Sequence, residues 1–199
     1  MSRGNNIARI AVTGSGIQAQ SLTNVPGSVF ASAAATSVYP SGTPVQMVST
    51  LAQWYNSLTL NSNWQNIPNM SLSITPKTTT SKLKIEARWF GEVSSAWDVT
   101  FGISRGGTVI NLPTAEGGRY GCVGMPCQSY VHDDNNSTPE LSFISTIDSP
   151  NTTNTVTYTM VARCPNGQTL VSGKVYDTGV VGSNYEQGSL EMIITEYLL

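Results

Sequence analysis

His132-Asp133-Asp134 sets the single histidine of the chain beside two carboxylates, the residue types of a catalytic triad or a metal site. The aspartates adjoin the histidine, however, and run into Asn135-Asn136-Ser137, the pattern of a polar loop. The same acidic loop could offer oxygen ligands to calcium, but the EF-hand spacing is missing. Cys122, Cys127 and Cys164 are an odd number without dense spacing, which argues against a secreted disulfide framework and for buried free thiols. Cys122 and Cys127, with one histidine to complete a set, make a poor zinc signal. Gly14-Ser15-Gly16 is the nearest approach to a phosphate loop, but it lacks a later glycine and a following Lys-Ser/Thr, so it reads as a flexible bend. No G-x-S-x-G elbow is present for a serine hydrolase. A glycosidase needs paired carboxylates across a cleft, and nothing selects a pair among 12 scattered acidic residues. The expectation is therefore a non-enzymatic protein with no cofactor and no bound metal.

Aromatic side chains are the better candidates for contact, because they bind sugars and anchor interfaces. Among the four tryptophans, Trp89 lies on the apolar side of an alternating segment and is expected in the core, while Trp64 and Trp97 fall near loops. Trp64, Trp97, Tyr120, His132, Asp133 and Asp134 form the candidate contact set toward a partner or a host surface glycan.

These residues must be positioned by a scaffold whose composition is unusual. Of 199 residues, 39% are hydrophobic and only 11% charged, against a usual charged share of about 25%. Ser, Thr, Asn and Gly replace the missing charges, a composition suited to strands and tight turns. The net charge of −2 supplies no long-range attraction to phosphate, so nucleic acid is set aside as a partner. Lys77, Lys82, Lys84 and Arg88 form a basic run that Glu86 interrupts, as expected of a solvated strand face. Nowhere do 18 apolar residues occur together, and the first residues do not read as a signal peptide, so neither a membrane span nor export is expected.

Met1 to about Tyr39 lacks any acidic residue and is rich in small ones. It has one short strand candidate, Ile7 to Val12, and an Ala-rich patch at Ala31 to Ala35. Such a segment cannot bury enough surface to fold alone, so residues 1–39 are expected to be an attachment arm whose docking side chains are Ile7, Ile10 and Val12. Pro40-Ser41-Gly42 marks a boundary. Thr43-Pro44-Val45-Gln46 resembles a helix-capping box, and Val45, Val48, Ala52 and Tyr55 recur at helical spacing. A helix over about Pro44 to Asn56 thus competes with a strand over Val45 to Leu51.

From Met70 onward the period is two. Leu72 and Ile74 alternate with serines. Lys82, Lys84, Glu86 and Arg88 alternate with Leu83, Ile85, Ala87 and Trp89, the pattern of a half-buried antiparallel strand. Val99, Phe101 and Ile103 lead to the turn Arg105-Gly106-Gly107. Further strand candidates are Tyr120 to Cys122, Tyr130 and Val131, Leu141 to Ile147, Thr155 to Arg163, Thr169 to Val175 and Leu190 to Tyr197. In the segment after Asp148 the threonines should face outward and Val156, Tyr158 and Met160 inward. Asp148 itself should bond backbone amides across the Ser149-Pro150 bend. Eight or more short strands predict an all-β sandwich or barrel.

Several landmarks occur in order: GTPVQMV from Gly42 to Val48, SLSITP up to Pro76, Ser81-Lys82-Leu83, FGISRGGT from Phe101 to Thr108, Ile147-Asp148-Ser149-Pro150, Thr153 to Tyr158, and Leu190-Glu191-Met192 with Glu196. From about Pro40 to Leu199 the chain resembles the C-terminal β-sandwich domain of phage tail-fibre and other virion proteins, abundant in phages of cyanobacteria and other aquatic bacteria. Those domains are similar to jelly-roll heads of the C1q and tumour-necrosis-factor type. The resemblance implies an antiparallel jelly-roll β-sandwich, residues 40–199, preceded by an extended N-terminal arm. It also implies a virion protein made in the host bacterial cytoplasm, assembling with itself as a homotrimer and touching other capsid or tail proteins through the arm. A tail-fibre or adhesin module is one function this allows. A capsid decoration or cement protein is the alternative, raised by the lack of coiled-coil heptads or a β-helical shaft. A virion-borne glycan hydrolase is a minor third.

Overall fold

The structure, a computed structural model, describes residues 40–53, 55–95, 98–127, 138–176 and 186–198. Ile7, Ile10, Val12, Trp97, His132, Asp133 and Asp134, and the strand candidates at Ile7 to Val12 and at Tyr130 and Val131, lie outside the described residues. Among the described residues ten strands follow in order: β1 Pro44–Ala52, β2 Asn56–Thr59, β3 Gln65–Ile74, β4 Lys82–Val93, β5 Thr100–Arg105, β6 Thr108–Ile110, β7 Glu140–Asp148, β8 Val156–Arg163, β9 Thr169–Ser172 and β10 Leu190–Tyr197. Among the described residues there is no helix.

The strands form two antiparallel sheets. In the first, β1 pairs with β10, β10 with β4 and β4 with β7; β9 takes up the far end of β4 and pairs in turn with β2. The second runs β3-β8-β5-β6. The chain passes from sheet to sheet between β3, β4 and β5 and again between β6, β7, β8 and β9, so the protein is an all-β antiparallel sandwich wound in the jelly-roll manner. Leu83, Ile85, Ala87 and Trp89 of β4 face Phe101 and Ile103 of β5 and Tyr158 and Met160 of β8 in one core. Trp89 is fully buried, its ring 5.2 Å from that of Phe101 and its Nε1 donating to Ser172 Oγ at 2.8 Å.

The conflict over Pro44 to Asn56 is resolved as a strand. Both side chains of the apparent capping box are engaged elsewhere: Thr43 Oγ1 donates to Pro40 O at 2.7 Å, and Gln46 Nε2 donates to Thr75 O and to Glu196 Oε2. A helix here would satisfy only its own backbone, whereas pairing with β10 from Pro44↔Tyr197 to Ala52↔Leu190 closes a sheet. The boundary turn at Pro40 is present, closed by Thr43 N donating to Pro40 O, with Gly42 at φ 84°.

Two local devices set register. Gly106 (φ 55°) and Gly107 (φ 87°) join β5 to β6 between the partners Arg105 and Thr108, the two-residue turn that matches strand twist. In β3, Ile67 and Met70 are both buried although three residues apart; an irregularity between Asn66 and Ser71, with Asn69 at φ 63°, absorbs three residues that have no partner on β8. The expected strand at Tyr120 to Cys122 is not formed. That stretch belongs to a loop tied to β5 only by bonds such as Val123 N to Phe101 O, and Gly117 and Gly118 turn it at positive φ.

Asp148 is also not the turn former expected. Its Oδ2 accepts from Arg105 Nη1 and from the Tyr158 hydroxyl, each at 2.6 Å, joining the end of β7 to β5 and β8 of the opposite sheet. Burial, reinforced by the bond to Asp148 and its charge, pushes the Tyr158 phenol well above its usual range.

Candidate functional site

Two of the sequence-selected residues are brought together. Trp64 leaves the β2–β3 connection to lie on the outer side of the second sheet, where a Cβ built on Gly102 would come within 3.3 Å of its ring. The Arg163 guanidinium stands 4.3 Å from the Trp64 ring centroid and 4.7 Å from that of Tyr120, and its Nη2 donates to Gly121 O at 3.1 Å. The stack fastens the loop carrying Tyr120 to the sheet. A cation between two rings contributes of order 1 kcal/mol per contact. Trp64 is half-buried by this packing, while Tyr120 remains exposed. Arg163, at the end of β8, was not selected from sequence, where it reads as an ordinary strand-end cation.

Two buried carboxylates lie on neighbouring strands. Glu92 of β4 accepts from Thr138 Oγ1 at 2.6 Å and from the backbone N–H of Thr138 and Tyr176, and Glu140 of β7 accepts from Val93 N at 2.9 Å. They hold backbone in place. Among the described residues no three His, Cys, Asp or Glu side chains are grouped to hold a metal ion. Of the cysteines, Cys164 is buried, Cys122 half-buried and Cys127 exposed. No helix among the described residues is long and apolar enough to cross a membrane.

The most distinctive surface lies on the outer face of the first sheet. Registry places Met47, Thr195, Lys84 and Ile147 in one row across β1, β10, β4 and β7; Ser49, Ile193, Glu86 and Ser145 in the next; and Leu51, Glu191, Arg88 and Phe143 in a third. Met47 is 65% exposed and Phe143 64%, and Leu51, Leu141 and Ile147 are also exposed. The middle of the face is charged but self-neutralised, with two cations and two anions: Lys84 Nζ meets Glu86 Oε1 at 2.8 Å, and Arg88 Nη2 lies 3.6 Å from Glu191 Oε2. Apolar flanks around a locally neutral centre can be covered by protein without stranding a charge. None of these apolar residues was selected as a contact from the sequence. The signal was present in β7, where Leu141, Phe143 and Ile147 sit on the face opposite Ile144, so the strand is apolar on both sides.

The outer face of the second sheet is different in kind. Ser71 and Thr159, Ser73 and Thr157, and Thr75 and Thr155 pair hydroxyl to hydroxyl at 2.8 Å each. No charge stands in this row. Compared with known proteins, the chain matches no protein-family model and no curated protein.

Proposed function

We propose that this protein is a non-enzymatic structural component of a bacteriophage particle. It is a tail-fibre or adhesin-type module whose residues 1–39 dock on other particle proteins and whose sandwich assembles as a homotrimer and meets a host surface. The observation that carries this reading is the apolar, locally neutral outer face of the first sheet: five large apolar side chains exposed on β1 and β7 favour burial against other copies of the chain. The jelly-roll order of the strands supports the resemblance from which the particle role is drawn. A second reading, capsid decoration, is favoured by the absence of heptads or a shaft-like repeat in these 199 residues.

Native mass spectrometry of the full chain should give three times the protomer mass, and a monomer at micromolar concentration would sink the assembly. Imaging of particles then separates the two roles. A few dozen copies or fewer per particle is the fibre outcome, hundreds is the decoration outcome, and absence from the particle removes both.

A further inference from the structure

Beside β2, the last strand on its side of the first sheet, lies a cleft of about 530 Å³ lined by Tyr55, Asn56, Ser57, Val171, Lys174 and Tyr176. The volume is that of a small-ligand site, roughly 300–1,000 Å³. Its lining is selective in chemistry. Two phenol rings, one amide, one hydroxyl and one ammonium stand with a single aliphatic side chain, so ring faces and hydrogen-bonding groups are offered side by side. A sugar ring offers what this lining complements: C–H faces for the tyrosines and hydroxyls for Asn56 and Ser57.

Lys174 decides the charge. Its Nζ rests 4.9 Å from the Tyr55 ring centroid, and among the described residues no carboxylate lies within ion-pair distance of it. One ammonium, without a glycine-rich nest or helix N-terminus, suits a single carboxylate better than a phosphate chain. Tyr55 is 62% exposed and so open to stacking. The walls are firmly set: Ser57 pairs with Val171 in the β2–β9 ladder, and the backbone N–H of Tyr176 is held by the buried Glu92 carboxylate.

We propose that this cleft binds a carboxylate-bearing saccharide, with Lys174 meeting the acid and Tyr55 and Tyr176 flanking the ring. The proposal deepens, and for its biological meaning rests on, the reading of the protein as a host-surface module.

The test titrates the full chain with trigalacturonate and with sialyllactose, using maltotriose and lactose as neutral controls, by isothermal calorimetry. At least one acidic sugar should bind more tightly than its neutral control. Lys174→Gln should weaken that binding about tenfold or more, the scale of one charge-assisted hydrogen bond. Tyr55→Ala should weaken acidic and neutral sugars alike. Equal affinity for acidic and neutral sugars, no binding of either acidic sugar at millimolar concentration, or wild-type affinity in a folded Lys174→Gln protein would overturn the proposal. Native mass spectrometry of the same samples keeps the two readings apart: a trimer that binds no acidic sugar removes the cleft assignment alone, and a monomer removes the assembly whatever the sugars do.

Discussion

The two outward faces of the sandwich are built on the same core and differ almost completely in what they present. On the first sheet, exposed Met47, Leu51, Leu141, Phe143 and Ile147 flank the ion-paired Lys84, Glu86, Arg88 and Glu191. On the second, hydroxyl pairs run along β3 and β8, and the adjoining surface over Gly102 is already covered by Trp64 under Arg163. A strand that meets water must keep its outer side polar, and threonine does so while retaining β preference. The second sheet obeys that rule, and the first breaks it along two of its strands. The two sheets thus meet the same demand in different ways, and the first leaves five large apolar side chains exposed.

That contrast can be broken most directly by moving charge onto each face. Phe143→Glu should shift the self-association constant by about a hundredfold or more, since a large apolar contact worth roughly 2 kcal/mol is lost and a charge takes its place. Thr157→Glu, a charge of the same sign on the hydroxyl face, should leave the oligomer unchanged. Sedimentation velocity measures both, and equal dissociation by the two substitutions would erase the distinction between the faces.

A smaller effect probes the clamp that locks the sheets together behind those faces. Asp148→Asn and Tyr158→Phe should each cost about 1–3 kcal/mol in urea unfolding, and the double variant less than their sum, because the first weakens and the second removes the same hydrogen bond. The clamp also gives stability a pH dependence with a defined sign. The Tyr158 phenol titrates above its usual range in the fold, so above about pH 10 the unfolded chain loses this proton first. Stability that is complete below pH 10 should therefore fall as pH rises further, and Tyr158→Phe should remove that part of the decline.

The least effect is expected at Thr157→Val. One exposed hydroxyl pair with Ser73 is lost where water can replace it, so stability should move by no more than about 0.5 kcal/mol. A drop several times larger would mean that the hydroxyl row is a structural ladder and not simply a wettable surface.

Much of the fold was legible because the period of two is a local signal. Alternation from Lys82 to Trp89 gave β4 and its buried side, and Thr157 outside with Tyr158 and Met160 inside followed the same rule. The Gly106-Gly107 turn was readable because few other residue pairs accept two successive positive φ values. The Pro44 to Asn56 stretch could not be decided locally, since its helical spacing and its strand-forming residues were both real and only the edge of β10, far along the chain, tipped the balance. Of the candidate contacts, Trp64 and Tyr120 were recognisable as aromatic residues near loops. Their common partner Arg163 was not, because nothing in sequence marks which cation will fall between two rings.

By itself, then, the sequence determined the all-β class, the strands with regular alternation and the low-charge surface, all of which depend on neighbours two residues apart. Which apolar side of β7 meets the core, which carboxylates are engaged by backbone, and that Tyr55, Lys174 and Tyr176 share one cleft were decided only by tertiary structure. Those outcomes depend on register between strands distant in the chain, and a shift of one residue would exchange every inward side chain for an outward one.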